Sequence, residues 1–100
     1  MPTYAIEFVP SAWKEWGKLD KVTRSQFEKK LSQVADNPHI DSARMRGATN
    51  VYRLKARAKG YRLIYEVEDR IVTVWVVAVG RRERGDVFDL GLKRVMERRD

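Results

Sequence analysis

Arginine and lysine dominate the residues of this 100-residue chain that could do chemistry. Between Arg44 and Arg62 stand seven bases, Arg44, Arg46, Arg53, Lys55, Arg57, Lys59 and Arg62, and no acid. The rest of the chain holds 14 bases and 14 acids, so the whole net charge of +7 lies in that stretch. A second basic group follows at Arg81, Arg82 and Arg84. A diffuse excess of charge serves solubility, whereas a local one makes an attractive field for a polyanion. Such a surface can also run RNA cleavage. The 2′-hydroxyl is an internal nucleophile, so a protein need only align it with the phosphate, neutralise charge growing on the phosphorane and assist proton transfer to the 5′-leaving oxygen. The competing reading is a basic hairpin face that water alone covers.

Other chemistries fail by count. The absence of cysteine excludes a disulfide scaffold, a thiol nucleophile, an iron–sulfur centre and a cysteine zinc site. His39 is the one histidine, next to a loop proline, so paired-histidine acid–base catalysis is out and His39 reads as a surface residue. Glu66, Glu68 and Asp69 are close in sequence, but Glu68-Asp69 reads as a turn and Glu66 sits among bases. Convergent carboxylates for a Mg²⁺ nuclease are therefore not expected, nor is any other metal or cofactor.

The elements that must position these bases fit one domain spanning residues 1–100, since 43% apolar content with ten aromatics can fill a single core without cross-links. The N-terminus has no basic region leading into an apolar run, and the longest apolar stretch, near VWVVAV, is far below the ~20 residues of a spanning helix. The expected location is the cytoplasm, away from membranes. Tyr4 to Val9 reads as a first strand that stops at Pro10, and Ala12, Trp13, Trp16 and Leu19 recur at helical spacing after it. Asp20 and Thr23 are both candidate caps for a second helix carrying Phe27, Leu31 and Val34, ended by Asn37-Pro38. Residues 38–49 read as an irregular connection.

VYRLKARA, YRLIYEV and IVTVWVVAV then read as three strands over residues 51–79. Alternation puts Tyr52, Leu54, Ala56 and Ala58 on one face, as it does Tyr61, Leu63, Tyr65 and Val67, and puts Arg53, Lys55 and Arg57, with Arg62 and Glu66, on the other. The third strand, apolar on both sides, suits a central place. If Lys59-Gly60 closes a tight hairpin, Arg57 faces Arg62 and Arg53 faces Glu66, with Lys55 between. Leu90, Leu92, Val95 and Met96 suggest a short C-terminal helix with a thin apolar stripe.

The ordered set Glu15-Trp16, Lys18-Leu19, Arg46-Gly47, Tyr52-Arg53-Leu54-Lys55, Gly60-Tyr61-Arg62-Leu63-Ile64-Tyr65 and Val79-Gly80-Arg81-Arg82-Glu83-Arg84 resembles the RelE family of toxin–antitoxin ribonucleases, on the RelE side of the RelE/ParE superfamily. The resemblance implies an α/β (α+β) domain, an antiparallel-rich sheet packed against two N-terminal helices with a short C-terminal helix. It also implies an mRNA endoribonuclease that enters the A site of the 70S ribosome, cuts the displayed mRNA without metal, stops translation and is held inactive by a cognate antitoxin. Operator DNA would be met only through the antitoxin complex. The family's sheet bases match Arg53 and Lys55, its phosphate-holding arginine Arg62 and its later arginine Arg82. Arg44, Arg46, Arg57, Lys59, Arg81, Arg84 and Phe88 are the further candidates for contact with RNA or ribosome.

Two positions depart from the family pattern. Phe88 stands where the family has its catalytic tyrosine; its ring can stack on a base but offers no hydroxyl. Arg53 replaces a lysine, and an arginine is a poor proton acceptor. Lys55 is left as the activator of the 2′-hydroxyl, with Arg62 on the scissile phosphate and Arg82 on the phosphorane and leaving oxygen. The alternatives are a ParE-like inhibitor of DNA gyrase on the same fold, and a catalytically weak toxin acting mainly in an antitoxin-bound repressor complex.

Overall fold

Pro10 ends the first strand and opens the first helix in the same step, because a missing N–H costs nothing in a helix's first turn. Strand β1 (Ala5–Phe8) thus runs straight into α1 (Pro10–Gly17) in the computed structural model, which describes residues 3–57, 60–83 and 86–99. Helix α2 (Lys21–Asp36) uses both candidate caps together: Asp20 is the N-cap, accepting from the Thr23 amide at 3.2 Å and from the Thr23 hydroxyl at 2.6 Å. A short 3-10 turn (Asp41–Ala43) interrupts the connection to β2 (Val51–Lys55). Strand β3 (Tyr61–Glu68) and β4 (Thr73–Arg81) flank a second 3-10 turn, and α3 (Asp86–Arg99) closes the chain.

The sheet order is β1-β4-β3-β2, with β1 parallel to β4 and the other two pairs antiparallel. The third long strand is central, as its two-sided apolar content requires. Tyr52, Leu63, Tyr65, Val74 and Val76 meet Phe27, Leu31 and Val34 from α2 in one buried cluster. Ile64, Val77 and Ala78 meet Val87 and Val95 from α3 in a second cluster. A bulge re-aims the strand between them: Ile64 pairs Ala78 while Tyr65 pairs Val76, leaving Val77 as the extra residue.

The tight hairpin is corrected. Strand β2 stops at Lys55 and β3 resumes at Tyr61, so five residues connect them and the register moves by two: Lys55 faces Arg62, Arg53 faces Ile64 and Val51 faces Glu66. A shift of two keeps every side chain on its expected face. Glu66 accordingly does not sit among the bases of β2. It is buried under α3, accepting from Arg98 at 3.2 Å and from Arg99 at 2.8 Å.

Helix α3 is 14 residues long and anchored more firmly than its apolar stripe implies. Arg94 donates to both carboxylate oxygens of Glu15 at 2.9 and 3.0 Å, and Arg98 bridges Glu66 and Glu68 while lying 4.2 Å from the Trp75 ring centroid. Gly91 lets the helix lie directly on the sheet: a Cβ there would come within 2.8 Å of the buried Ile64 side chain.

Candidate active site

The strand ends and α3 enclose a cleft of about 650 Å³ lined by Arg53 and Lys55 from β2, Arg62 from β3, Arg82 after β4, and Phe88 from the first turn of α3. These are the four expected catalytic positions and the aromatic candidate. Alternation along β2 and β3 puts Arg53, Lys55 and Arg62 on one sheet face, and the observed register sets Lys55 beside Arg62. Arg82 arrives because its amide donates to the Gly60 carbonyl at 2.9 Å, tying the end of β4 to the start of β3. Among the described residues no carboxylate lines the cleft.

The electrostatics follow from that absence. Partial burial, then the charges of Arg82 and Arg53, lower the proton affinity of the Arg62 guanidinium below its ordinary value. Its Nη1 donates to the Tyr61 carbonyl at 2.9 Å, which fixes the group at the wall of the cleft. Phe88 serves two surfaces at once: it packs on the Val77–Val95 cluster and faces Arg53, whose guanidinium carbon lies 6.0 Å from the ring centroid.

The other expected contacts are dispersed. Arg57 lines a neighbouring cavity rather than the main cleft. Exposed Arg44 pairs with Asp41 at 3.1 Å, and Arg46 is exposed, so neither lines the cleft. Arg81 turns away to stack on the Tyr61 ring at 5.2 Å and to approach Glu83 at 3.8 Å. Lys59 and Arg84 lie outside the described residues.

Two polar lining residues, Lys30 and Ser42, are not among the expected site residues. Lys30 reads as a solvated position on α2, but its Nζ donates to the Lys55 carbonyl at 2.6 Å and the side chain lines the cleft. Ser42 contributes a hydroxyl from the 3-10 turn. Neither has a local signal, since only the packing of α2 and that turn against β2 brings them there.

His39 is more than a surface residue. Its Nδ1 lies 2.7 Å from the Tyr52 hydroxyl and its Nε2 2.8 Å from Asp69, which also accepts from the Tyr4 hydroxyl at 2.6 Å. The Tyr4 hydrogen bond, then that of His39, holds the Asp69 carboxyl below its usual range against the opposing effect of desolvation. This network joins the residue before β1, the 38–40 segment, β2 and the β3–β4 turn, and it does not line the cleft.

The four-stranded mixed sheet with its three helices is a fold shared with solved toxin structures. Residues 6–85 match the family described as ParE toxin of type II toxin–antitoxin system, parDE. The mRNA interferase toxin RelE of Escherichia coli K12 is 42% identical over 93 residues, covering 93% of this chain and 98% of that protein. A RelE-like toxin protein of Escherichia coli is 50% identical over 92 residues, 92% of this chain and 97% of its own length. The solved free-state structure of a double arginine-to-alanine mutant of E. coli RelE superposes with a TM-score of 0.87 at 40% identity, covering 93% and 98% of the two chains. The intact E. coli RelBE toxin–antitoxin complex gives 0.78 at 43% identity, covering 81% of this chain and 99% of the matched one. The chain belongs to the RelE family of type II toxin–antitoxin toxins.

Proposed function

We propose that this protein is a ribosome-dependent mRNA endoribonuclease that cuts the message displayed in the A site and so arrests translation. The observation that carries the reading is the gathering of Arg53, Lys55, Arg62, Arg82 and Phe88 around one cleft with no lining carboxylate among the described residues. The relatives named mRNA interferase support it. The 2′-oxygen attacks phosphorus while the P–O5′ bond breaks, leaving a 2′,3′-cyclic phosphate and a 5′-hydroxyl. Lys55 assists removal of the proton from the 2′-hydroxyl, and a proton delivered from solvent completes the 5′-hydroxyl. Arg62 holds the non-bridging oxygens in line, and Arg82 stabilises the phosphorane and stands by the leaving oxygen, with Arg53 adding charge. Phe88 stacks on a base flanking the cut. No metal takes part in these steps.

A cognate antitoxin is the expected regulatory partner, since relatives are solved as complexes with theirs. Substituting Arg82 by Ala should lower cleavage by about 10²-fold or more, the usual cost of removing a donor aimed at transition-state charge, while antitoxin binding persists. Equal cutting by the Arg82→Ala protein would remove the assignment. The ParE description of the matching family and the phenylalanine at position 88 favour a second reading, inhibition of DNA gyrase. A supercoiling assay run beside primer extension on translated mRNA separates the two.

A further inference from the structure

A second cavity of about 370 Å³ adjoins the cleft, lined by Lys30, Lys55, Ala56, Arg57, Gly60 and Arg62. It shares Lys30, Lys55 and Arg62 with the first. Together the two present Lys30, Arg53, Lys55, Arg57, Arg62 and Arg82 with no lining carboxylate among the described residues. A single phosphodiester carries one negative charge, which leaves most of this cationic surface unmatched.

The second cavity is also held in shape. Gln26 and Lys30, one turn apart on α2, bind the backbone on either side of Ala56: Gln26 Oε1 accepts from the Arg57 amide at 2.9 Å, and Lys30 Nζ donates to the Lys55 carbonyl at 2.6 Å. Gly60 turns the chain beneath it at φ +65°, a conformation that glycine adopts freely, and its carbonyl is bound by the Arg82 amide. The walls of the two cavities are therefore mechanically joined.

We infer that the second cavity is a phosphate subsite that takes a phosphate flanking the scissile one on the same RNA strand, with Arg57 and Lys30 as its own cations. The inference rests on the RNA-cleavage reading and adds to it a binding register: the strand spans both cavities, with Lys55 and Arg62 between them. Lys30 has two duties, holding the end of β2 and meeting the flanking phosphate.

The test is a binding titration of the purified protein with 2′-O-methyl dinucleotides, which lack the nucleophile, carrying free ends, an added 5′-phosphate or an added 3′-phosphate. One of the phosphorylated forms should bind about fivefold more tightly than the free-ended one, as expected for a charge-assisted contact at a partly exposed site. Its salt dependence should be steeper by about 0.7 in log–log slope, the value for one more phosphate contact on a single strand. Arg57→Gln should erase that advantage while leaving the free-ended dinucleotide bound, and Arg57→Lys should restore it. Equal binding of the three dinucleotides, or an advantage untouched in Arg57→Gln, overturns the subsite. Primer extension on translated mRNA with the same preparation tells the failures apart: cutting without a phosphate advantage removes the subsite alone, and loss of both removes the RNA reading as well.

Discussion

Lys55 and Arg62 face each other across the β2–β3 ladder, two like charges on neighbouring strands of one sheet face. Opposed like charges cost a sheet roughly a few tenths of a kcal/mol, and Arg82, Arg53 and Lys30 around the same cleft add to the repulsion. An anion in the cleft reverses the sign of that energy.

Removing one charge should therefore leave the free protein as stable as before or slightly more so. Lys55→Met is expected to keep or raise the thermal midpoint while mRNA cutting falls by about 10²-fold or more, the range typical of losing a positioned acid–base group. Thermal unfolding beside a translation assay checks it. A large drop in the midpoint would make Lys55 a structural residue instead.

Phe88 supplies a ring without a hydroxyl. Phe88→Tyr should keep the stack and the approach of Arg53, and should raise cutting by about tenfold or more if the added hydroxyl positions a proton or phosphate oxygen. Phe88→Ala should weaken it by the loss of a base stack, about 1–3 kcal/mol. Single-turnover cleavage rates on stalled ribosome complexes read both.

Gly91 fixes how closely α3 approaches the sheet. Alanine there gains helix propensity, up to ~1 kcal/mol, but its methyl meets Cβ, Cγ1 and Cγ2 of Ile64 at 2.8–3.0 Å. Ile64 is β-branched and fully buried, so it has little room to yield. Gly91→Ala should destabilise by about 1–3 kcal/mol, as overpacking does. Adding Ile64→Ala should recover part of that loss in a double-mutant cycle read by denaturant unfolding.

Asp69 gives the fold an acid dependence of known sign. Its carboxyl holds a proton less tightly in the native state than in the unfolded chain. The stability it contributes is therefore present above the unfolded value of about 3.9 and lost as pH falls through the lower native one. Native protein should exceed Asp69→Asn in thermal midpoint near neutrality, and the gap should close on acidification from about pH 5 to about pH 2. A gap that stays constant would contradict this.

Much of the site was legible because strands alternate. Arg53, Lys55 and Arg62 share a face by parity alone, and Asp20 with Thr23 marked the start of α2. The register was not legible, because it depends on where β2 ends, and α2 decides that through Gln26 and Lys30 binding the backbone of residues 57 and 55. Lys30 looked solvated because a helix surface gives no sign of what crosses it. The hold on α3 was hidden for a similar reason: Glu15, Glu66, Arg94, Arg98 and Arg99 are ordinary charges in sequence and become ion pairs only after the sheet forms. His39 between Tyr52 and Asp69 likewise joins parts of the chain that no local pattern relates.

The proposed reaction is the cutting of A-site mRNA in the Arg/Lys cleft by attack of the 2′-hydroxyl. Primer-extension mapping of a translated message, with chemical identification of the new ends, tests it most directly. Cuts are expected within the A-site codon, leaving a 2′,3′-cyclic phosphate and a 5′-hydroxyl, and are lost in Arg82→Ala. Uncut message in the presence of active native protein, or cuts bearing a 5′-phosphate, would contradict it.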